Sequence, residues 1–236
     1  LLDNNGRRIM WAWVLDRRER LHIRDLQEAP PYGWSGTMTV PRVLSLSSDG
    51  NLLIEPIEEL KELRTNLRTI EKMTAHENIS TRLEGIEGTT LEIKAEVDMG
   101  EASTFGMKVL ASPNGEEETI ITFNIEKNNI TVDFSNSSLD TSIKHYQRTM
   151  NFMTSEPNPI ATSQVAPFSL KKNEKLEIQI FIDKSIIEIF ANGRQCVTQR
   201  VYPTRSDSQG IEVFSTGGSS YINNLKAWDM SPTNQW

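Results

Sequence analysis

The chain has 236 residues, 37% of them hydrophobic, and a net charge of −7. That is enough for one large or two small domains with a real core. An acidic surface without a basic cluster repels phosphate backbones and argues against nucleic acid as a partner. No apolar run approaches the roughly 18 residues that span a bilayer, so no membrane partner is expected.

Arg7-Arg8-Ile9-Met10-Trp11-Ala12-Trp13 reads as a strand. A short apolar-aromatic strand cannot bury both faces alone, and few partners are expected for it within the next fifty residues. The chain is therefore expected to be the back part of a larger protein. Residues 17–32 are charged and end in Pro30-Pro31, the composition of an exposed loop. Residues 37–40 and 43–46 are strand-like, 47–51 form a turn, and 52–54 are expected to pair back as a hairpin. Pro56 suits a helix start because its missing N–H is not needed there. Ile57, Leu60 and Leu63 then recur at helical spacing, giving a linking helix of about two turns and a candidate domain boundary.

From residue 66 to 230 the chain carries strand signals. Leu91, Ile93, Ala95 and Val97 alternate with Glu92, Lys94 and Glu96. The same period of two runs through Phe105, Met107 and Val109, through Ile121, Phe123 and Ile125, through Ile130, Val132 and Phe134, and from Leu176 to Ile182. Such alternation means one buried and one wet face. Turn signals at Ser112-Pro113-Asn114-Gly115, Lys127-Asn128-Asn129 and Asn192-Gly193 separate the runs. Many short antiparallel strands at this spacing predict a β-sandwich. Asn192-Gly193 predicts a two-residue hairpin, because both positions accept positive φ.

Few residues carry chemistry. Asp183 and Glu188 are the most conspicuous carboxylate pair, but a separation of five along a strand places side chains on opposite faces. The reading they support is a turn aspartate and a glutamate paired with a cross-strand base such as Arg200. Cys196 is the only cysteine and reads as a buried structural thiol. His22, His76 and His145 lie far apart, so no metal and no cofactor are expected. Asn78, Asn129 and Asn136 open Asn-x-Ser/Thr triplets, acceptors only along a eukaryotic secretory route. In Tyr32-Gly33-Trp34-Ser35-Gly36 the glycines free Trp34 to project from a loop. Its indole can stack on a sugar face, or it can anchor the loop to the core.

Several segments together resemble the C-terminal half of glycoside hydrolase family 32, the invertases, inulinases and levanases. They are Gly6-Arg7-Arg8-Ile9-Met10-Trp11-Ala12-Trp13, Gly33-Trp34-Ser35-Gly36, Val40-Pro41-Arg42-Val43-Leu44-Ser45-Leu46 and Pro56-Ile57-Glu58-Glu59-Leu60-Lys61-Glu62-Leu63-Arg64. The run from Asp183 to Gly193 and Thr198-Gln199-Arg200-Val201-Tyr202-Pro203-Thr204 extend the likeness over nearly the whole chain. The resemblance implies an all-β fold: the last strands of a five-bladed β-propeller (residues 1–54), a linker helix (55–65) and a β-sandwich (66–236). It implies retaining hydrolysis of terminal β-D-fructofuranosides in sucrose or fructans, with an aspartate nucleophile, a glutamate acid/base and a second aspartate stabilising the transition state. The family carries these on Asn-Asp-Pro-Asn, Arg-Asp-Pro and Glu-Cys motifs. None is present: Arg24-Asp25 is followed by Leu26, and Cys196 is preceded by Gln195. No catalytic residue is therefore assigned. By resemblance Trp34 alone maps near the mouth of the fructose pocket, as a substrate-binding residue. The expected partners are the substrate, through the complete enzyme, and an N-terminal propeller polypeptide. The competing readings are a non-catalytic carbohydrate-binding module and a purely structural sandwich.

Overall fold

The computed structural model describes residues 1–15, 36–145 and 159–233. Five short strands come first: β1 (Arg8–Met10), β2 (Trp13–Val14), β3 (Thr37–Met38), β4 (Arg42–Leu46) and β5 (Leu52–Pro56). β1, β4 and β5 form an antiparallel sheet in the order β1-β4-β5, while β2 pairs with β3. The first strand thus has one partner, β4, and lies at the edge of its sheet. Pro41 has no N–H to donate, so the ladder breaks there and the returning chain serves β2 and β1 separately. The turn at 47–51 and the β4–β5 hairpin form as expected, with Ser45 opposite Leu53.

The link Glu58–Leu63 is a 3₁₀ helix. Ile57, Leu60 and Leu63 are spaced by three, which matches three residues per turn and places all three on one side.

Twelve strands follow among the described residues. They are β6 (Arg64–Ala75), β7 (Thr81–Glu87), β8 (Thr90–Asp98), β9 (Thr104–Ala111), β10 (Thr119–Asn124) and β11 (Asn129–Asp133). Then come β12 (Ser163–Pro167), β13 (Leu176–Asp183), β14 (Ile186–Ala191), β15 (Gln195–Arg200), β16 (Gly210–Thr216) and β17 (Ser220–Met230). They build two six-stranded antiparallel sheets, β12-β11-β10-β9-β16-β7 and β15-β14-β13-β8-β17-β6. The described residues form a β-sandwich carrying two small N-terminal sheets. Between the large sheets lie the alternating residues read from sequence, including Leu91, Ile93, Phe105, Met107, Phe123, Ile130, Ile180 and Ile189. Ile125 falls past the end of β10 and is exposed, so that alternation stops at Phe123.

The Asn-Gly hairpin forms between β14 and β15 with a three-residue loop, because Ala191 pairs with Gln195. Asn192 and Gly193 both adopt positive φ, 47° and 61°. The extra residue, Arg194, donates its N–H to the Ala191 carbonyl.

Candidate functional site at the junction of strands and sandwich

The outer face of β8, β13, β14 and β15 was expected to be wet. It is instead covered in part by the N-terminal strands. Ile54 N–H donates to the Gly193 carbonyl at 2.6 Å, joining β5 to the hairpin loop. Lys171 Nζ reaches Asp49 at 3.3 Å on the rim. Two buried ion pairs lie on this face.

In the first, Arg42 on β4 meets Glu188 on β14. Arg42 Nη2 donates to Glu188 Oε2 at 2.6 Å and to Thr198 Oγ1 at 2.7 Å. The Val40 N–H donates to Glu188 Oε1 at 2.7 Å. Both charged side chains are almost fully buried, at 8% and 2% exposure. The Arg42 guanidinium also lies 5.5 Å from the Phe190 ring centroid. Burial raises the Glu188 carboxyl above its ordinary value, the bonds from Arg42 and Val40 pull it back, and the charge of Asp183 adds to the rise.

The expected partner of Glu188, Arg200, is corrected by this geometry. Thr198 stands opposite Glu188, whereas Arg200 stands opposite Ile186. The expectation that Asp183 and Glu188 face opposite ways is also corrected. The chain folds back between them, so Phe181 is opposite Glu188 and Asp183 opposite Ile186. Opposed residues share a face, and steps of two preserve it, so both carboxylates lie on the outer side.

In the second pair, Arg64 at the start of β6 forms a fork with Glu92 on β8, with N···O distances of 2.7 and 2.5 Å. Gln179 donates a third bond to Glu92 at 2.7 Å. The Arg64 guanidinium stacks 4.1 Å from the Trp228 ring centroid, which covers its apolar face. Glu92 is fully buried.

Beside the pairs lies a cleft of about 380 Å³, lined by Glu55, Ile57, Lys94, Gln179, Phe190 and Gly193 among others. Desolvation lowers the Lys94 ammonium, Glu92 opposes the shift, and Arg64 and Lys61 add to it. Glu188 accepts two hydrogen bonds and Glu92 three, each set including an arginine donor, so both carboxylates tie separate parts of the chain together. Cys196, on β15 beside Thr198, has its thiol pushed up to about 12 by burial, which leaves it protonated and unreactive at neutral pH. Among the described residues no group of three or more His, Cys, Asp or Glu is placed to hold a metal ion.

Trp34, His22 and Arg24-Asp25 lie outside the described residues. Gly36, which follows Trp34 by two, is described. Its φ is +84°, and a Cβ there would stand 2.6 Å from Trp13 Nε1, so glycine is required where this segment passes β2. Sequence reasoning missed Arg42, Arg64 and Glu92; no local pattern marks partners that lie 28 and 146 positions apart.

The family model described as glycosyl hydrolases family 32 C terminal matches residues 59–229. The chain belongs to glycosyl hydrolase family 32. Among family 32 relatives, fructan 1-exohydrolase w3 of Triticum aestivum is 28% identical over 268 aligned positions, covering 96% of this chain and 42% of its own length. Sucrose-6-phosphate hydrolase of Staphylococcus xylosus is 30% identical, covering 94% of this chain and 39% of its own length. The structure of fructan 1-exohydrolase IIa from Cichorium intybus superposes with a TM-score of 0.78 at 22% identity, over 98% of this chain and 47% of that one. The chain thus spans less than half the length of the curated relatives it matches.

Proposed function

We propose that this chain is the C-terminal part of a glycoside hydrolase that cleaves terminal β-D-fructofuranosides, in sucrose or fructans, by a retaining mechanism, with the catalytic carboxylates outside the chain. The observation that carries the reading is the family's C-terminal model over residues 59–229, joined to relatives named as a fructan 1-exohydrolase and a sucrose-6-phosphate hydrolase. In this reading residues 1–54 are the closing strands of a propeller, 55–65 the link and 66–236 the sandwich. The exposure of Leu1, Leu2, Trp13 and Met38 supports it, since strands that pack against further blades carry apolar side chains on the face toward them. The partner is an N-terminal propeller region, and Trp34 contributes to the rim of the fructose pocket.

Retention places a nucleophile and an acid/base roughly 5 Å apart in that region, with a covalent fructosyl intermediate. The role of the present chain is to close the catalytic unit and brace it from the sandwich side. The test is proton NMR of the first product formed from sucrose or 1-kestose by the complete protein. Fructose released first as the β-anomer supports the proposal; release as the α-anomer, or no release, overturns it.

A second reading, a sandwich that is purely structural, is favoured by one observation: the outer face that a sugar-binding module would present is partly occupied by the N-terminal strands through Arg42–Glu188 and Ile54–Gly193. It differs from the first only if the complete protein has no fructosidase activity.

A further inference from the structure

Residues 39–42 are held at every step. Thr39 N–H donates to the Ala12 carbonyl at 2.9 Å, and Thr39 Oγ1 accepts from the Ala12 N–H at 3.0 Å. The Pro41 carbonyl accepts from Ile57 N–H at 2.9 Å, which ties the segment to the linking helix. Arg42 pairs with Glu188. Val40 lies between the end of β3 and the start of β4, where Pro41 interrupts the ladder and leaves its N–H without a strand partner. That N–H goes to Glu188 Oε1, 148 positions away on the sandwich.

We infer that Glu188 is a positioning residue: by accepting the Val40 N–H it sets, from the sandwich, the backbone path of residues 39–42 and so the placement of the N-terminal strands. The ion pair with Arg42 fills the junction, but a carboxylate–guanidinium contact alone tolerates sliding. A hydrogen bond to a main-chain N–H does not, because it fixes a backbone atom. The inference rests on the proposed function for its catalytic consequence: strands that close the catalytic unit need the sandwich for their geometry, and small displacements are costly to rate.

The two roles of Glu188 can be separated. Replacing both members of a buried ion pair by apolar groups of similar volume is often tolerated. R42M/E188Q and R42M/E188M therefore share the same charge and nearly the same packing, and differ in whether position 188 offers an oxygen to Val40. Hydrogen exchange read at the Val40 amide, with the Ile180 and Ile189 amides as internal references, is measured on both variants. The expected result is exchange at Val40 at least about tenfold faster in R42M/E188M, with the references unchanged. In the complete protein, kcat/KM on sucrose or 1-kestose is expected to fall about tenfold in R42M/E188M and to be restored by R42M/E188Q. Equal protection of Val40 in the two variants overturns the inference. So does different protection with equal kcat/KM. If the unmodified complete protein releases no fructose, the proposed function falls, and the exchange comparison still decides whether Glu188 sets this segment.

Discussion

Glu117 offers the sharpest test of the sandwich. It lies between β9 and β10, is fully buried, and carries a carboxylate that gathers three loops. Its Oε1 accepts from Leu139 N–H at 2.8 Å, Thr204 N–H at 2.9 Å and Thr204 Oγ1 at 2.5 Å. Its Oε2 accepts from Arg205 N–H at 3.0 Å and Ser208 Oγ at 2.6 Å. Burial alone would raise this carboxyl, but the bonds from Ser208, Thr204 and the Thr204 and Arg205 N–H groups outweigh it and hold the group down at about 2. The folded value lies below the unfolded one of 4.5. The stabilisation is therefore fully present above pH 4.5 and is lost as pH falls toward 2. At about 1.4 kcal/mol per unit the shift corresponds to roughly 3 kcal/mol as an upper bound, and the bonds that a glutamine oxygen still accepts reduce the expected loss on substitution to about 2. In E117Q one oxygen survives, but an NH₂ group replaces the other and faces the Arg205 N–H, donor against donor. Urea unfolding of wild type and E117Q is compared from pH 7 to pH 2.5. E117Q is expected to be less stable by about 2 kcal/mol at pH 7, and the gap is expected to close as the pH falls below 4.5. A gap that is absent at pH 7, or that persists unchanged at pH 2.5, refutes the reasoning.

The same structure sets three further outcomes. R64M strands Glu92 as a buried, uncompensated charge and is expected to cost about 3–5 kcal/mol, most of which R64M/E92M recovers; denaturant midpoints check this. Cys196 is expected to react with a thiol reagent at pH 8 only when the chain unfolds, since its thiol is pushed up to about 12; rapid labelling of the folded chain contradicts it. G106A drives a methyl into the Phe214 ring that lies over Gly106 and is expected to lower stability by about 1–3 kcal/mol, whereas G106A/F214A loses less than the sum of its parts.

The sandwich was legible because its strands alternate and its core residues sit on the predicted side, as Leu91 to Val97 and Leu176 to Ile182 show. What alternation could not show is that a face reading as wet is covered by another part of the chain. Glu92 and Glu188 therefore looked like surface carboxylates, yet both are buried against arginines from distant strands. Asp183 and Glu188 were assigned to opposite faces by counting along one strand, and the intervening turn reverses that count. A helix does form at Glu58–Leu63, but the spacing of three, rather than three and four, was the mark of a 3₁₀ helix. The aromatic candidate Trp34 rests on the family likeness alone, with Gly36 the nearest described residue whose geometry demands its identity.

Fructose release from sucrose and 1-kestose is to be measured first, on this chain alone and on the complete protein with its N-terminal region. No release by the chain alone and release by the complete protein are expected. Hydrolysis by the chain alone, or its absence in the complete protein, would contradict the proposed division of roles.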